Sequence, residues 1–463
     1  MVRQPVTRLQ LSARRFHARR MRHALVRRDV AMHDDPLRAQ SLSLAVGGVL
    51  AAVAVVAGAV LALVRPQGLP DSAPILLARE TGALYVRVGD TLHPVANLAS
   101  ARLVARTAAS PVAVAQTAIA RAKRGPMVGI AGAPASIGGP ARGDGWTVCD
   151  GDRTVVTVGD VDLRALDPAR PVLVTPRGES AATTYLLYDG QRASVDLRSL
   201  AVIRALRLDG VAPIPISRTL LDVVPEAPAI AAPVIGGAGA PGPRALRGAT
   251  VGSVVQVHRS DAVERYVVLP GGVQSVGEVT ADLIRFAYDG DARPVASVAP
   301  ATIAALPIVD DLPVQSFPLR SRAPVGLADG LGVCAHWRPE GSAPSSNAVV
   351  LTGRLPQPDP ALVTDLAQAD GDGPNVDAVV MAGGTSAYVR SARIVGDDGT
   401  GPRFLVTDGG VAFGVHDDDA ATALGLVSAP GAAPWPVLAH LPRGPELSTA
   451  AASVARDGLA PSS

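Results

Sequence analysis

The stretch Leu42-Ser-Leu-Ala-Val-Gly-Gly-Val-Leu-Ala-Ala-Val-Ala-Val-Val-Ala-Gly-Ala-Val-Leu-Ala-Leu-Val64 runs for 23 residues without a charge, between Arg38 and Arg65. As a helix it is ~34 Å long, against ~30 Å for a bilayer core, and it satisfies its own backbone hydrogen bonds as lipid requires. The 41 residues before it carry ten Arg and three Asp, a net of +7. The positive-inside rule then keeps this short basic side in the cytoplasm and sends the rest across the membrane. A cleaved secretory signal fits less well, because its leader is shorter and its apolar core has ~7–15 residues. Ala54, Gly58 and Ala62 recur every fourth residue on one face, as in close helix packing. In so Ala-rich a segment that spacing is also expected by chance.

Beyond the span the balance reverses. The whole chain has 43 Lys+Arg and 41 Asp+Glu, so subtracting the ten and three of the arm leaves 33 basic and 38 acidic residues, a net of −5. The sequence pI of about 8.7 therefore belongs to the arm. The larger region has no basic excess suited to nucleic acid. Aromatics make up 3% of the chain, so its core must rest on Val, Leu, Ile and Ala.

Two cysteines follow the span, in mirrored surroundings: Trp146-Thr-Val-Cys149 and Cys334-Ala-His-Trp337. An extracytoplasmic compartment permits a bridge between them, with Trp146 and Trp337 packed near it. Two unrelated buried thiols are the alternative. A zinc site needs more ligands, and a thioredoxin-like site needs closer cysteines.

A pattern recurs four times after the span: an apolar strand, a Gly-containing turn, a second strand, a helical stretch, and a Pro-flanked apolar segment. Its strand-turn starts are Leu84–Asp90, Tyr185–Gly190, Tyr266–Gly272 and Phe404–Gly410. Asp-Gly and Gly-Gly between apolar runs are strong hairpin signals, because the tight turn needs positive φ. Helices are expected at Asp196–Leu208, Val279–Tyr288 and Asp417–Leu426. Ile130–Gly145 and the Gly/Ala/Pro-rich Ala231–Pro243 read as linkers, the latter a mobile one, and Ala450–Ser463 reads as a disordered tail.

The expected architecture is α+β: a single N-terminal transmembrane helix, then an elongated region with a β-rich central domain and four small β-hairpin/helix repeat domains. The expected segments are a cytoplasmic arm (1–41), the span (42–64), a linker with the first repeat (65–135), a first central segment (136–182), the second repeat (183–232), a linker with the third repeat (233–314), a second central segment (315–352), the fourth repeat (353–449) and a tail (450–463). If the cysteines bond, repeats two and three form an excursion from the centre, and repeats one and four attach outside it.

In the arm, Leu11, Ala18, Met21 and Leu25 recur at helical spacing amid arginines. Thr7 is the expected N-cap, and Pro36 is expected to end this helix near Asp35. Such a helix can lie on anionic lipid or dock partners; the docking set is Leu11, Phe16, Met21, Leu25, Arg27 and Arg28.

The arm from Thr7-Arg8-Leu9-Gln10 through Asp34-Asp35-Pro36-Leu37-Arg38 resembles the start of the EccB family, a core membrane component of actinobacterial type VII (ESX) secretion systems. The likeness continues in Gly82–Val86, Leu92–Leu98, both Trp/Cys motifs and Gly444–Ser448. It implies assembly with EccC, EccD, EccE and other EccB copies in the inner membrane, near the mycosin protease, with the C-terminal body in the periplasm. It also implies a central domain flanked by four repeats like a phage-lysin wall-binding fold, which makes a peptidoglycan tether an alternative role.

The resemblance also raises ATP hydrolysis, since family members are sometimes described as ATPases. The only lysine, Lys123, stands between Ala122 and Arg124, so no Gly-Lys-Ser/Thr phosphate loop exists. No catalytic residue, metal or cofactor is assigned. His416–Asp419 reads as a helix N-terminus and not as a metal site. Asp370, Asp372 and Asp377 fail the EF-hand spacing. His336 is expected to pack near the bridge.

Overall fold

The computed structural model describes residues 7–28, 36–64, 69–164, 166–168, 170–179, 183–260, 262–289, 294–324, 326, 331–339, 348–397 and 399–456. Two compact units divide the chain, Met1–Leu69 and Pro70–Ser463.

The first unit holds two helices, Arg8–Arg27 and Pro36–Val64. Thr7 stands at the first N-cap, and Gln10 Oε1 accepts the Thr7 N–H at 3.1 Å. The expected end near Asp35 is corrected: the helix stops at Arg27, where Arg28 turns left-handed (φ 56°) and donates its N–H to the Ala24 carbonyl. Pro36 opens the second helix instead. Its missing N–H costs nothing at a first helical position. Gln40–Val60 within that helix is long and apolar enough to cross a membrane.

The second unit contains four sheets of one topology. Each has a first strand, an antiparallel hairpin of the second and third strands, a helix, and a fourth strand returning parallel to the first. The first strands are Ile75–Ala78, Val172–Pro176, Val254–His258 and Thr385–Ala392; the fourth are Val112–Val114, Ile214–Ile216, Ala296–Ser297 and Gly431–Pro434. A short helix follows each fourth strand: Gln116–Ala120, Arg218–Val223, Pro300–Ala304 and Trp435–His440. The second hairpin closes through Asp189 (φ 43°) and Gly190 (φ 75°), the paired positive angles of a tight two-residue turn.

Two of the expected helices form with shorter bounds, and the third spans its expected range. Leu200–Ala205 is capped by Ser199, and Asp418–Leu424 by Asp417 and a left-handed Gly425. Glu278–Ile284 runs on into a π turn, Arg285–Asp289.

A fifth sheet forms the centre, in the order Val363–Asp365, Ala378–Val380, Thr154–Val158, Trp146–Asp150, Leu331–Trp337, Ala348–Arg354 and Leu166–Pro168. The segment boundaries shift accordingly. Val172–Pro176, expected in the centre, is the first strand of repeat two, and residues 363–380, expected in repeat four, extend the central sheet.

The expected linkers are packed. In Ala231–Pro243, Ile235 is buried, and Gly239 N–H and Ala240 C=O bond to Val251. In Ile130–Gly145, Ile130 is buried, and Gly139–Pro140 pairs with Thr385–Ser386. The start of the expected tail is also ordered: Thr449–Ala452 is helical, and Ala455–Arg456 joins Met127–Val128 of repeat one. Residues 457–463 lie outside the described residues.

Repeats pair through shared cores. Leu103 and Ile130 of repeat one pack with Leu405, Phe413 and Leu424 of repeat four. Leu186 and Val202 of repeat two pack with Val254, Val279 and Leu283 of repeat three.

Candidate functional site

The two cysteines sit on central strands that run antiparallel with Cys149 opposite Cys334, Trp146 opposite Trp337 and Thr147 opposite His336. A disulfide joins Cys149 and Cys334, whose Cα atoms are 4.1 Å apart. Side chains alternate faces along a strand, so a spacing of three residues places each Trp on the face opposite its Cys. The expectation that Trp146 and Trp337 pack near the bridge is therefore corrected. The disulfide packs with Leu166 and Leu351, whereas both Trp side chains lie in the main core on the other side.

The Trp face receives the short helices of repeats two and four. Leu220 and Leu221 of Arg218–Val223, and Val437 and Leu438 of Trp435–His440, are buried in the same cluster as both Trp residues. The two helices also touch each other. Trp146 Nε1 donates to the Ala432 carbonyl at 3.2 Å, fixing repeat four to the centre.

A buried polar node fixes repeat two. Asp150 Oδ2 accepts the Ser217 N–H at 2.6 Å. Arg177 donates to the carbonyls of Gly151 (2.8 Å) and Pro215 (3.2 Å) and to Thr154 Oγ1 (3.3 Å). Asp377 Oδ2 accepts Thr154 N–H, and its Oδ1 accepts Asp370 and Gly371 N–H. Burial pushes the Asp150 carboxyl above its ordinary pKa, and the Arg177 charge opposes this. Asp150 and Arg177 carry no spacing signal in the sequence, whereas Asp370 and Asp377, noted there for their Gly-rich loop, serve to hold backbone N–H groups.

On the disulfide face, His336 Nδ1 lies 2.8 Å from Thr147 Oγ1. Burial and the Arg338 charge lower the His336 pKa. A groove of about 650 Å³ opens on this face beside Cys149, Val155, Thr157 and Leu355.

The other candidates have structural roles. Asp370, with Asp377, holds a loop through backbone N–H groups, Asp370 Oδ1 accepting from Asn375. Asp417 caps its helix through Ala420 N–H, Asp418 pairs with Arg403, and His416 pairs with Glu446. Lys123 lies 3.5 Å from Asp90 at an exposed surface. Among the described residues, no cluster of three or more His, Cys, Asp or Glu could hold a metal.

In the arm helix, Leu11, Phe16, Met21 and Leu25 are all exposed. Phe16 is five residues from Leu11, about 140° around the helix, so it leaves the Leu11, Met21, Leu25 stripe. It faces the same way as the exposed Leu9. Arg27 is the last helical residue and Arg28 the left-handed cap.

An apolar helix after a basic arm, and a stapled centre carrying four copies of one small fold, define a membrane-anchored scaffold protein. Residues 3–461 match the family model described as type VII secretion system ESX-1, transport TM domain B. The chain belongs to the EccB family of type VII secretion. It is 35% identical to the ESX-3 secretion system ATPase EccB3 of Mycobacterium tuberculosis, over 99% of this chain and 91% of that protein. It is 37% identical to the Mycolicibacterium smegmatis EccB3, over 98% and 91%. Among solved structures, it resembles a chain of an intact ESX-5 inner membrane complex (TM-score 0.71, 31% identity, covering 100% of this chain and 98% of that one). It also resembles the EccB3 dimer from the ESX-3 core complex (TM-score 0.71, 33% identity, 82% and 100%).

Proposed function

We propose that this protein is a structural subunit of a type VII secretion inner-membrane complex. The observation that carries this reading is the whole-length likeness to a chain of an intact ESX-5 inner membrane complex. The arm lies in the cytoplasm, because its ten Arg oppose translocation. Its exposed Leu11, Met21 and Leu25 dock the other membrane components, EccC, EccD and EccE. The body lies across the membrane and associates with other copies of itself, near the mycosin protease. The compartment suits its disulfide.

Assembly in this reading needs no cofactor. The relatives carry the word ATPase in their names, but the ordinary phosphate loop is missing here and Lys123 is exposed at an ion pair with Asp90. Membranes holding the full chain or a chain lacking residues 1–35 separate docking from anchoring. Native electrophoresis should show a large complex for the first only, with both chains inserted. Assembly by the armless chain would reject the docking role. ATP turnover by the purified complex that vanishes with this subunit would reject a purely structural one.

A further inference from the structure

The pairing registers make positions in the repeats equivalent. In repeat two, Leu187 pairs with Arg192, which bridges Glu226; in repeat four, Val406 pairs with Ala412, which bridges Arg443. Tyr185 is thus equivalent to Phe404, and Glu226 to Arg443. Counting along the fourth strands from Pro215 and Ala432, Asp222 is equivalent to Ala439.

Both repeats place a guanidinium over the equivalent ring. Arg192 Cζ is 5.6 Å from the Tyr185 centroid, and Arg443 Cζ is 4.8 Å from that of Phe404. In repeat two the charge is met internally, by Asp222 at 2.7 Å and Glu226 at 3.1 Å. In repeat four one of those positions is Ala439 and the other is the arginine itself. Among the described residues, no carboxylate pairs with Arg443. The neighbouring acids are engaged, Asp418 with Arg403 and Glu446 with His416.

Arg443 lines a groove of about 430 Å³. Trp435, 45% exposed, lies beside it with its ring centroid 5.1 Å from Arg443 Cζ. Arg443 is exposed, and its guanidinium caps two adjacent rings whose centroids are 6.3 Å apart. Held against the rings in this way, a guanidinium keeps its N–H edge for bidentate hydrogen bonds to a carboxylate. The indole offers apolar contact to whatever carries that carboxylate.

We propose that this groove docks an acidic peptide segment of a partner protein, its Asp or Glu carboxylate taking the place that Asp222 and Glu226 take in repeat two. The internal precedent is a side-chain carboxylate, which favours a peptide over a wall saccharide.

The test uses the full chain in detergent micelles and fluorescein-labelled Gly-Leu-Glu-Leu-Gly, with its Gln counterpart as control, read by anisotropy. The Glu peptide should bind about tenfold or more tightly than the Gln peptide, a difference of ~1.4 kcal/mol. Arg443→Met should erase that preference. Ala439→Asp, at an exposed position, restores the internal acid of repeat two and should weaken the Glu peptide about tenfold while leaving circular dichroism unchanged. Trp146 and Trp337 are buried, so the fluorescence change on binding should come from Trp435 and disappear in Trp435→Phe. Equal binding of the two peptides, or unchanged Glu-peptide binding by Ala439→Asp, would overturn the proposal. So would displacement of the peptide by N-acetylmuramic acid at lower concentration than by unlabelled peptide.

Discussion

Cys149 and Cys334 lie directly opposite each other on adjacent antiparallel strands, 185 residues apart in the chain. The bond closes a loop that contains all of repeats two and three. In the chain-entropy model a loop of this length stabilises by up to about 5 kcal/mol, acting mainly on the unfolded state. Cys149→Ser with Cys334→Ser should therefore lower the urea midpoint and leave the folded sheet in register. Reduction should raise the intact mass of the wild-type chain by about two hydrogens. An unchanged mass would show that the bond does not form.

Asp150 is buried with Oδ1 unpartnered, and burial raises its carboxyl pKa. A raised folded pKa means that the folded state holds the proton more tightly than the unfolded one. Stability is then lost as pH rises from the ordinary value of 3.8 through the folded value. Asp150→Asn keeps an acceptor for Ser217 N–H and removes the titration. Wild type should gain stability relative to this variant as pH falls through that window; a constant difference would reject the assignment. Arg177→Met strips donors from the Gly151 and Pro215 carbonyls and should cost about 2–4 kcal/mol.

The anchor, the four hairpins and the bridge were legible because each has a local signal: an uncharged run, a Gly turn between apolar strands, or a mirrored Trp/Cys motif. The first strand of each repeat was not, because its connection to the hairpin varies. Ala78 and Leu84 are separated by a short turn, whereas Thr385–Ala392 and Arg403–Thr407 are joined by a longer loop. That omission misplaced Val172–Pro176. Nearness in sequence places Trp146 and Trp337 by the bridge, but the two-residue alternation of a strand turns a residue three positions away to the other face. The composition of Ala231–Pro243 does not reveal that Ile235 is buried against repeat two and three residues.

His336 titrates in the opposite sense to Asp150. Its lowered pKa comes from burial first, then from Arg338, with Asp144 opposing. The unfolded chain takes up this proton first, so stability falls as pH drops through the ordinary value of 6.5. His336→Gln should remove this loss. Unfolding midpoints at pH values above and below the window would check it, and an equal acid loss in both chains would place the effect elsewhere.

The four short helices after the fourth strands carry equivalent apolar residues: Ile119, Leu221, Ile303 and Leu438. All are buried, but they serve different cores. Leu221 and Leu438 enter the central cluster with Trp146 and Trp337, whereas Ile303 packs with Val255, Val257 and Val268 of its own repeat. Truncation to Ala at any of these sites should cost about 2–5 kcal/mol, because a cavity remains. The distribution of the damage should differ. In the full chain, Leu221→Ala and Leu438→Ala should raise amide exchange along Trp146–Asp150 and Leu331–Trp337, and Ile303→Ala should confine the rise to repeat three. Protected central strands in both Leu variants would show that Arg218–Val223 and Trp435–His440 do not support the stapled sheet, and that its stability rests on the bridge and its own strand pairing.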